Sequence, residues 1–153
     1  MIRRSLVILL VASTMGCRER FYQSFGSGEA AHQSELAKQG WVPQWLPSEA
    51  VAVQVEHDID TNERWLRFRL PNTSAAALKQ NLEKLSDTEV INLRIRSPKK
   101  TRWFESLIQQ APETDGSLNA AIFRGNGKTV ENSAILLFER TSEDVYAYLP
   151  TAQ

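Results

Sequence analysis

The chain has 153 residues, 42% of them hydrophobic, with 18 basic and 18 acidic side chains and therefore no formal net charge. That length fits one domain, and that apolar fraction sustains a packed core, which excludes wholesale disorder. The charge balance excludes a strongly basic nucleic-acid binder, and a single Cys excludes an intramolecular disulfide framework or a paired-cysteine zinc or redox site.

The first element is not part of the fold. Arg3 and Arg4 precede the run Leu6-Val7-Ile8-Leu9-Leu10-Val11-Ala12, and small residues then lead to Gly16-Cys17. Two positive charges, a short apolar run and small residues describe a secretory signal peptide over residues 1–16. The run is about half the length that a membrane-spanning helix needs. Gly16-Cys17 resembles the lipobox of bacterial lipoproteins, in which a diacylglyceryl group is attached to the Cys thiol before the signal is removed. Thr14 and Met15 depart from the usual Leu and Ala or Ser. The alternatives are an ordinary signal peptide cut nearby and an uncleaved anchor. The resemblance implies lipidation of Cys17, palmitate-type acylation, and attachment to the cell membrane or outer membrane facing the extracytoplasmic space. Loss of Arg3 and Arg4 with the signal leaves 16 basic and 18 acidic side chains.

Residues 17–28 read as the lipidated Cys and a tether, and residues 29–153 as a single domain. Ser27 is placed to cap a short helix over 28–38, with Gly40 at its end. In Gly40-Trp41-Val42-Pro43-Gln44-Trp45-Leu46-Pro47 two prolines prevent a regular helix or central strand. Val51, Val53 and Val55 alternate with polar or small residues, as do Leu66, Phe68 and Leu70, so a hairpin is predicted with its turn at 57–62. Ala75, Leu78, Leu82 and Leu85 predict a helix over 73–85, and Ile91, Leu93 and Ile95 a third strand over 90–96. Ser97-Pro98 starts a second main helix that carries Trp103 and Phe104, and strands follow at about 118–124, 133–140 and 145–149. The expected class is α+β: a mixed, mainly antiparallel sheet of about five to six strands with two main helices on one face, ordered ββαβαβββ after a short N-terminal helix.

Three groups of residues are chemically notable. Asp58, Asp60 and Asn62 have the spacing of the first ligands of a calcium loop, but Glu63 stands where its Gly is required and Arg69 where its bidentate Glu is required. His57 with Asp58 or Asp60 is a looser metal or catalytic candidate; the bland reading is a turn shaped by Asp and Asn. Trp41 and Trp45 either bind a peptide or glycan or cover one end of the core. If the strands at 63–70 and 90–96 are neighbours, Arg67, Arg69, Arg94 and Arg96 form an anionic-partner patch on the outer sheet face; otherwise they are solvated charges. Arg124-Gly125-Asn126-Gly127-Lys128 reads as a turn, not a phosphate loop, and no other nucleotide, nucleophile or HExxH motif is present.

Gly40-Trp41-Val42-Pro43, Leu46-Pro47 and His57-Asp58-Ile59-Asp60-Thr61-Asn62, followed by Trp65 and Phe68, resemble a set of small, uncharacterised bacterial proteins with a GWxP…LP…HxxDTN arrangement and often a lipoprotein-type signal. The resemblance implies envelope location and one compact domain, and transfers no catalytic residue. The expectation is a membrane-anchored, non-enzymatic module that binds an envelope protein or cell-wall component, without cofactor, metal or nucleic acid. A purely structural spacer between membrane and partner is another reading. The rival is a small hydrolase or metal-dependent enzyme, which needs His57, Asp58 and Asp60 to converge in one pocket.

Overall fold

The computed structural model describes residues 20–101 and 120–151. The signal segment, Cys17, Trp103 and Phe104 lie outside those residues; residues 97–101, where the second main helix is expected to start, are described and are not helical. Among the described residues there are seven strands: β1 (Arg20–Ser27), β2 (Val51–Asp58), β3 (Glu63–Arg69), β4 (Leu82–Lys84), β5 (Ala120–Gly125), β6 (Ile135–Glu139) and β7 (Asp144–Leu149). Four short helices accompany them: α1 (Gly28–His32), α2 (Glu35–Lys38), α3 (Asn72–Lys79) and α4 (Asp87–Ile91). The strands form one sheet in the order β1-β2-β3-β7-β6-β5-β4, with every pair antiparallel. The class is α+β, but it is dominated by sheet and has more strands than expected.

Alternation sorts the side chains onto two faces. On the first face Val53, Val55, Leu66, Phe68, Leu136, Phe138, Val145 and Ala147 are buried beneath Ala31 of α1, Val42, Leu46 and Ala50 of the irregular segment, and Ala75 and Leu78 of α3. On the second, Trp65, Ile122, Ile135, Leu137, Tyr146 and Tyr148 lie beneath Leu85, Val90, Leu93 and Ile95. A sheet covered on both sides explains why Leu136 and Leu137 are adjacent and both buried, at 0% and 1% exposure.

Four expectations are corrected. Residues 20–27, read as tether, form the edge strand β1, whose Phe25 packs on the first core against β2. The helix over 28–38 is split: Ser27 caps α1 and Ser34 caps α2, and Gly40 at φ +82° closes the end. The helix over 73–85 stops at Lys79, so Leu82 enters β4 while Leu85 turns to the second face. The strand expected over 90–96 does not form. Ser86 and Glu89 make a capping box that starts α4, and the chain then crosses the second face irregularly, held by Leu93 and Ile95. Helices therefore lie on both faces, not one.

Candidate functional site

The hairpin β2–β3 sets the geometry. Because successive side chains alternate, His57 faces the first side of the sheet, whereas Glu56 and Asp58 face the second. Asp58 Oδ1 accepts the amides of Asp60 at 3.0 Å and Thr61 at 3.3 Å, and Asn62 adopts φ +55°. These are turn-forming roles. Asp60 and Asn62 are exposed, Asp58 is buried, and His57 points to the opposite side, so the three residues of the enzyme reading share no pocket. Among the described residues no group of three His, Cys, Asp or Glu side chains is arranged to hold a metal ion.

His57 instead belongs to an aromatic stack. The Trp41 ring lies 4.2 Å from it at 19°, and the Phe21 ring 5.3 Å away at 15°. His57 is 2% exposed, and its Nδ1 has no hydrogen-bond partner among the described residues. Burial lowers its pKa below 6.5; Asp58 and Glu56 oppose that shift, and Lys100 adds to it. The imidazole is therefore neutral at physiological pH and acts as a flat packing surface.

The rigid segment carrying Trp41 is fixed from several sides. Arg64 Nη1 donates to the Gly40 carbonyl at 3.0 Å, His32 Nε2 lies 2.7 Å from the Leu46 carbonyl, and Val42 and Leu46 are buried. Trp45 is half-buried, and its Nε1 donates to Glu131. Arg64 Nη2 stands 3.6 Å from the other Glu131 oxygen. Burial lowers the Arg64 pKa from its ordinary value, against the pull of Glu131.

These residues border a cleft of about 440 Å³ lined by Trp41, Asn62, Arg64, Glu131, Ser133, Pro150 and Thr151, together with Gln39 and Gly40. It offers an aromatic surface, a cation, a carboxylate and an amide within one concavity. That mixture suits a polar chain with an apolar face, such as a peptide or glycan. Trp41 lines the cleft, whereas Trp45 packs against the first core and is not part of the lining. Arg64 and Glu131 were not singled out from the sequence, and nothing local marks them: they are distant in the chain and meet only because the loop before β6 folds back beside β3.

The four arginines of the predicted patch do not meet. Within the sheet β3 is flanked by β2 and β7, and residue 96 passes over its second face, where Trp65 Nε1 donates to the Arg96 carbonyl at 2.6 Å. Arg67 donates to Asp144 at 3.0 Å and lies over the Tyr146 ring. Arg69 borders the same hollow of about 480 Å³, which also contains Glu143 and Asp144 and so is not a net positive site. Arg96 stands 3.4 Å from Glu63, and Arg94 borders a separate hollow with Glu89 and Arg124.

Two buried carboxylates, Glu56 and Glu63, hold the second face together. Glu56 is 0% exposed and accepts the amides of Lys100 and Thr101 at 3.0 and 3.1 Å and the Thr101 hydroxyl at 2.8 Å. Glu63 accepts the Tyr148 hydroxyl at 2.6 Å, and burial followed by this bond raises the Tyr148 pKa strongly.

The chain's first three strands have a counterpart among known families. A model of the YbbD head domain matches residues 19–69. The YbbD head match thus spans β1, α1, α2, the Trp41–Trp45 segment and the β2–β3 hairpin, which supply the aromatic stack and Asn62 and Arg64 of the cleft. Glu131, Ser133, Pro150 and Thr151 come from outside it. No curated protein and no solved structure matches the chain.

Proposed function

We propose that the chain is a lipoprotein of the bacterial cell envelope, held at the cell membrane or outer membrane by a lipidated Cys17. Its domain binds an envelope protein or cell-wall component and does not turn over a substrate. The signal pattern ending at Gly16-Cys17 supports the anchoring, and the likeness of residues 19–69 to the YbbD head domain supports an envelope role. The cleft walled by Trp41 carries the binding reading, because its aromatic face is presented beside the Arg64–Glu131 pair by a segment fixed on both sides. The separation of His57 from Asp58 and Asp60 removes the geometry that the hydrolytic reading requires.

Two experiments test the two halves. Cys17→Ser should release the protein from the membrane fraction and remove the lipid mass from the mature N-terminus; unchanged membrane association and mass refute the anchor. A photo-crosslinking residue at Ser133, on the cleft rim, should yield a discrete adduct in intact cells, whereas one at Gln80, after α3, should not. No adduct at Ser133, or the same adduct from both positions, refutes the cleft as the docking surface.

A further inference from the structure

The exposed apolar side chains are unevenly placed. Among the described residues Phe21, Tyr22, Val51, Ile59 and Ile91 are the large hydrophobics most open to solvent, at 44, 41, 45, 41 and 83%. Three of the five, Phe21, Tyr22 and Ile59, lie at one end of the sheet. Arg20 pairs with Asp58, so the start of β1 and the β2–β3 turn share that end. Phe21 and Tyr22 point to opposite sides of the strand, so the apolar surface wraps the edge and does not fall on one face.

This is also the end at which the chain arrives from Cys17. Three Cα–Cα steps separate Cys17 from Arg20, so the reach between them is at most about 11 Å. We propose that this end of the sheet rests on a lipid surface, with Phe21, Tyr22 and Ile59 at headgroup level. The proposal rests on the reading that Cys17 is lipidated and adds the orientation of the domain to it. A diacylglyceryl thioether places Cys17 at the membrane surface, and the short connection leaves the end of β1 no room to stand far from it. Aromatic side chains with an apolar body favour the interfacial zone. Asp60 and Asn62, exposed beside Ile59, confine the contact to the headgroups, because a carboxylate is not carried into hydrocarbon. In this orientation Asn62 puts one rim of the Trp41 cleft close to the membrane, and the hollow at Arg67 and Arg69 faces away from it.

The single native Cys makes a direct measurement available. Once Cys17 is a thioether, Ile59→Cys or Val51→Cys supplies the only free thiol for a nitroxide label. Val51 is the control, at the far end of β2, about 25 Å away. The full processed protein is reconstituted in phosphatidylethanolamine–phosphatidylglycerol vesicles, and relaxation by oxygen is compared with relaxation by a water-soluble nickel chelate. The expected result is an oxygen-to-nickel ratio at least threefold higher at position 59 than at 51. Asp60→Cys gives the same reading if Ile59→Cys does not fold. Aqueous values at both ends, with the lipid mass present on Cys17, overturn the orientation and leave the anchor standing. Absence of that mass overturns the anchor and the orientation together.

Discussion

His57 and Trp41 lie nearly parallel, with ring centroids 4.2 Å apart, and the histidine is 2% exposed. Burial lowers the His57 pKa from 6.5 in the folded state. The sign follows from which state takes the proton first. Above pH 6.5 the imidazole is neutral in both states and its contribution is complete; as pH falls below 6.5 the unfolded chain is protonated first and stability is lost. Thermal unfolding at pH 7.5 and 5.5 should show a smaller loss in His57→Phe than in the parent. An identical loss in both would place the titration elsewhere.

Trp41→Ala removes one stacked ring from the same group and one wall of the cleft. The cost should be about 2–3 kcal/mol, below that of truncating a fully buried aromatic because the ring is half-buried. Denaturant unfolding measures it, and the photo-adduct at Ser133 should weaken beyond what the loss of folded protein explains.

Glu56→Ala leaves two amides and a hydroxyl of residues 100–101 without their acceptor. The expected destabilisation is about 3 kcal/mol. It should be accompanied by faster hydrogen exchange at Lys100 and Thr101 than in β6 or β7. Uniform acceleration across the sheet would mean that Glu56 does not hold this segment in place.

Gly28 donates its amide to the Ala50 carbonyl at 2.7 Å, and a Cβ at Gly28 would stand 2.0 Å from the Pro47 carbonyl oxygen. Gly28→Ala must therefore push α1 and the 47–50 loop apart, at about 3 kcal/mol. A midpoint shift of under ~0.5 kcal/mol would show that the loop yields freely.

Ala52 behaves in the opposite sense. It has φ +52° beside the register shift between Val51 and Gln54, a conformation that favours glycine. Ala52→Gly should stabilise the fold by about 0.5 kcal/mol, the relieved strain being partly offset by the freer unfolded chain. A loss of stability would show that the Ala52 methyl contributes packing that outweighs the strain.

The strands β2, β3, β6 and β7 were legible because their apolar residues alternate or run continuously, and the turn at Asp58–Asn62 because Asp and Asn shape turns through their own backbone. The sequence misled where one pattern imitated another. Ile91, Leu93 and Ile95 alternate like a strand, yet Ile91 is 83% exposed, and the capping box Ser86–Glu89 dictates a helix just before them. Phe21, Tyr22 and Phe25 carried the signal of β1, which their proximity to Cys17 concealed. Glu56 reads as a solvent-facing position in a half-buried strand; only the chain folded over the second face makes it a buried acceptor. The cleft was half visible, through Trp41 and Asn62. Its other half depends on Arg64 meeting Glu131, and no local pattern encodes that.

The place of β7 has a consequence for how such a chain comes to be folded. Among the described strands it is the last in sequence, yet it sits between β3 and β6 and supplies the strand pairing that joins β1-β2-β3 to β6-β5-β4. A chain made from its N-terminus has two half-sheets with open edges until Asp144–Leu149 slots between them. Completion of the sheet is thus a late, long-range event, slow by the measure of contact order. The centre of the sheet is thus closed by the strand that is last in order, and the two half-sheets gain their shared register only when it pairs with both.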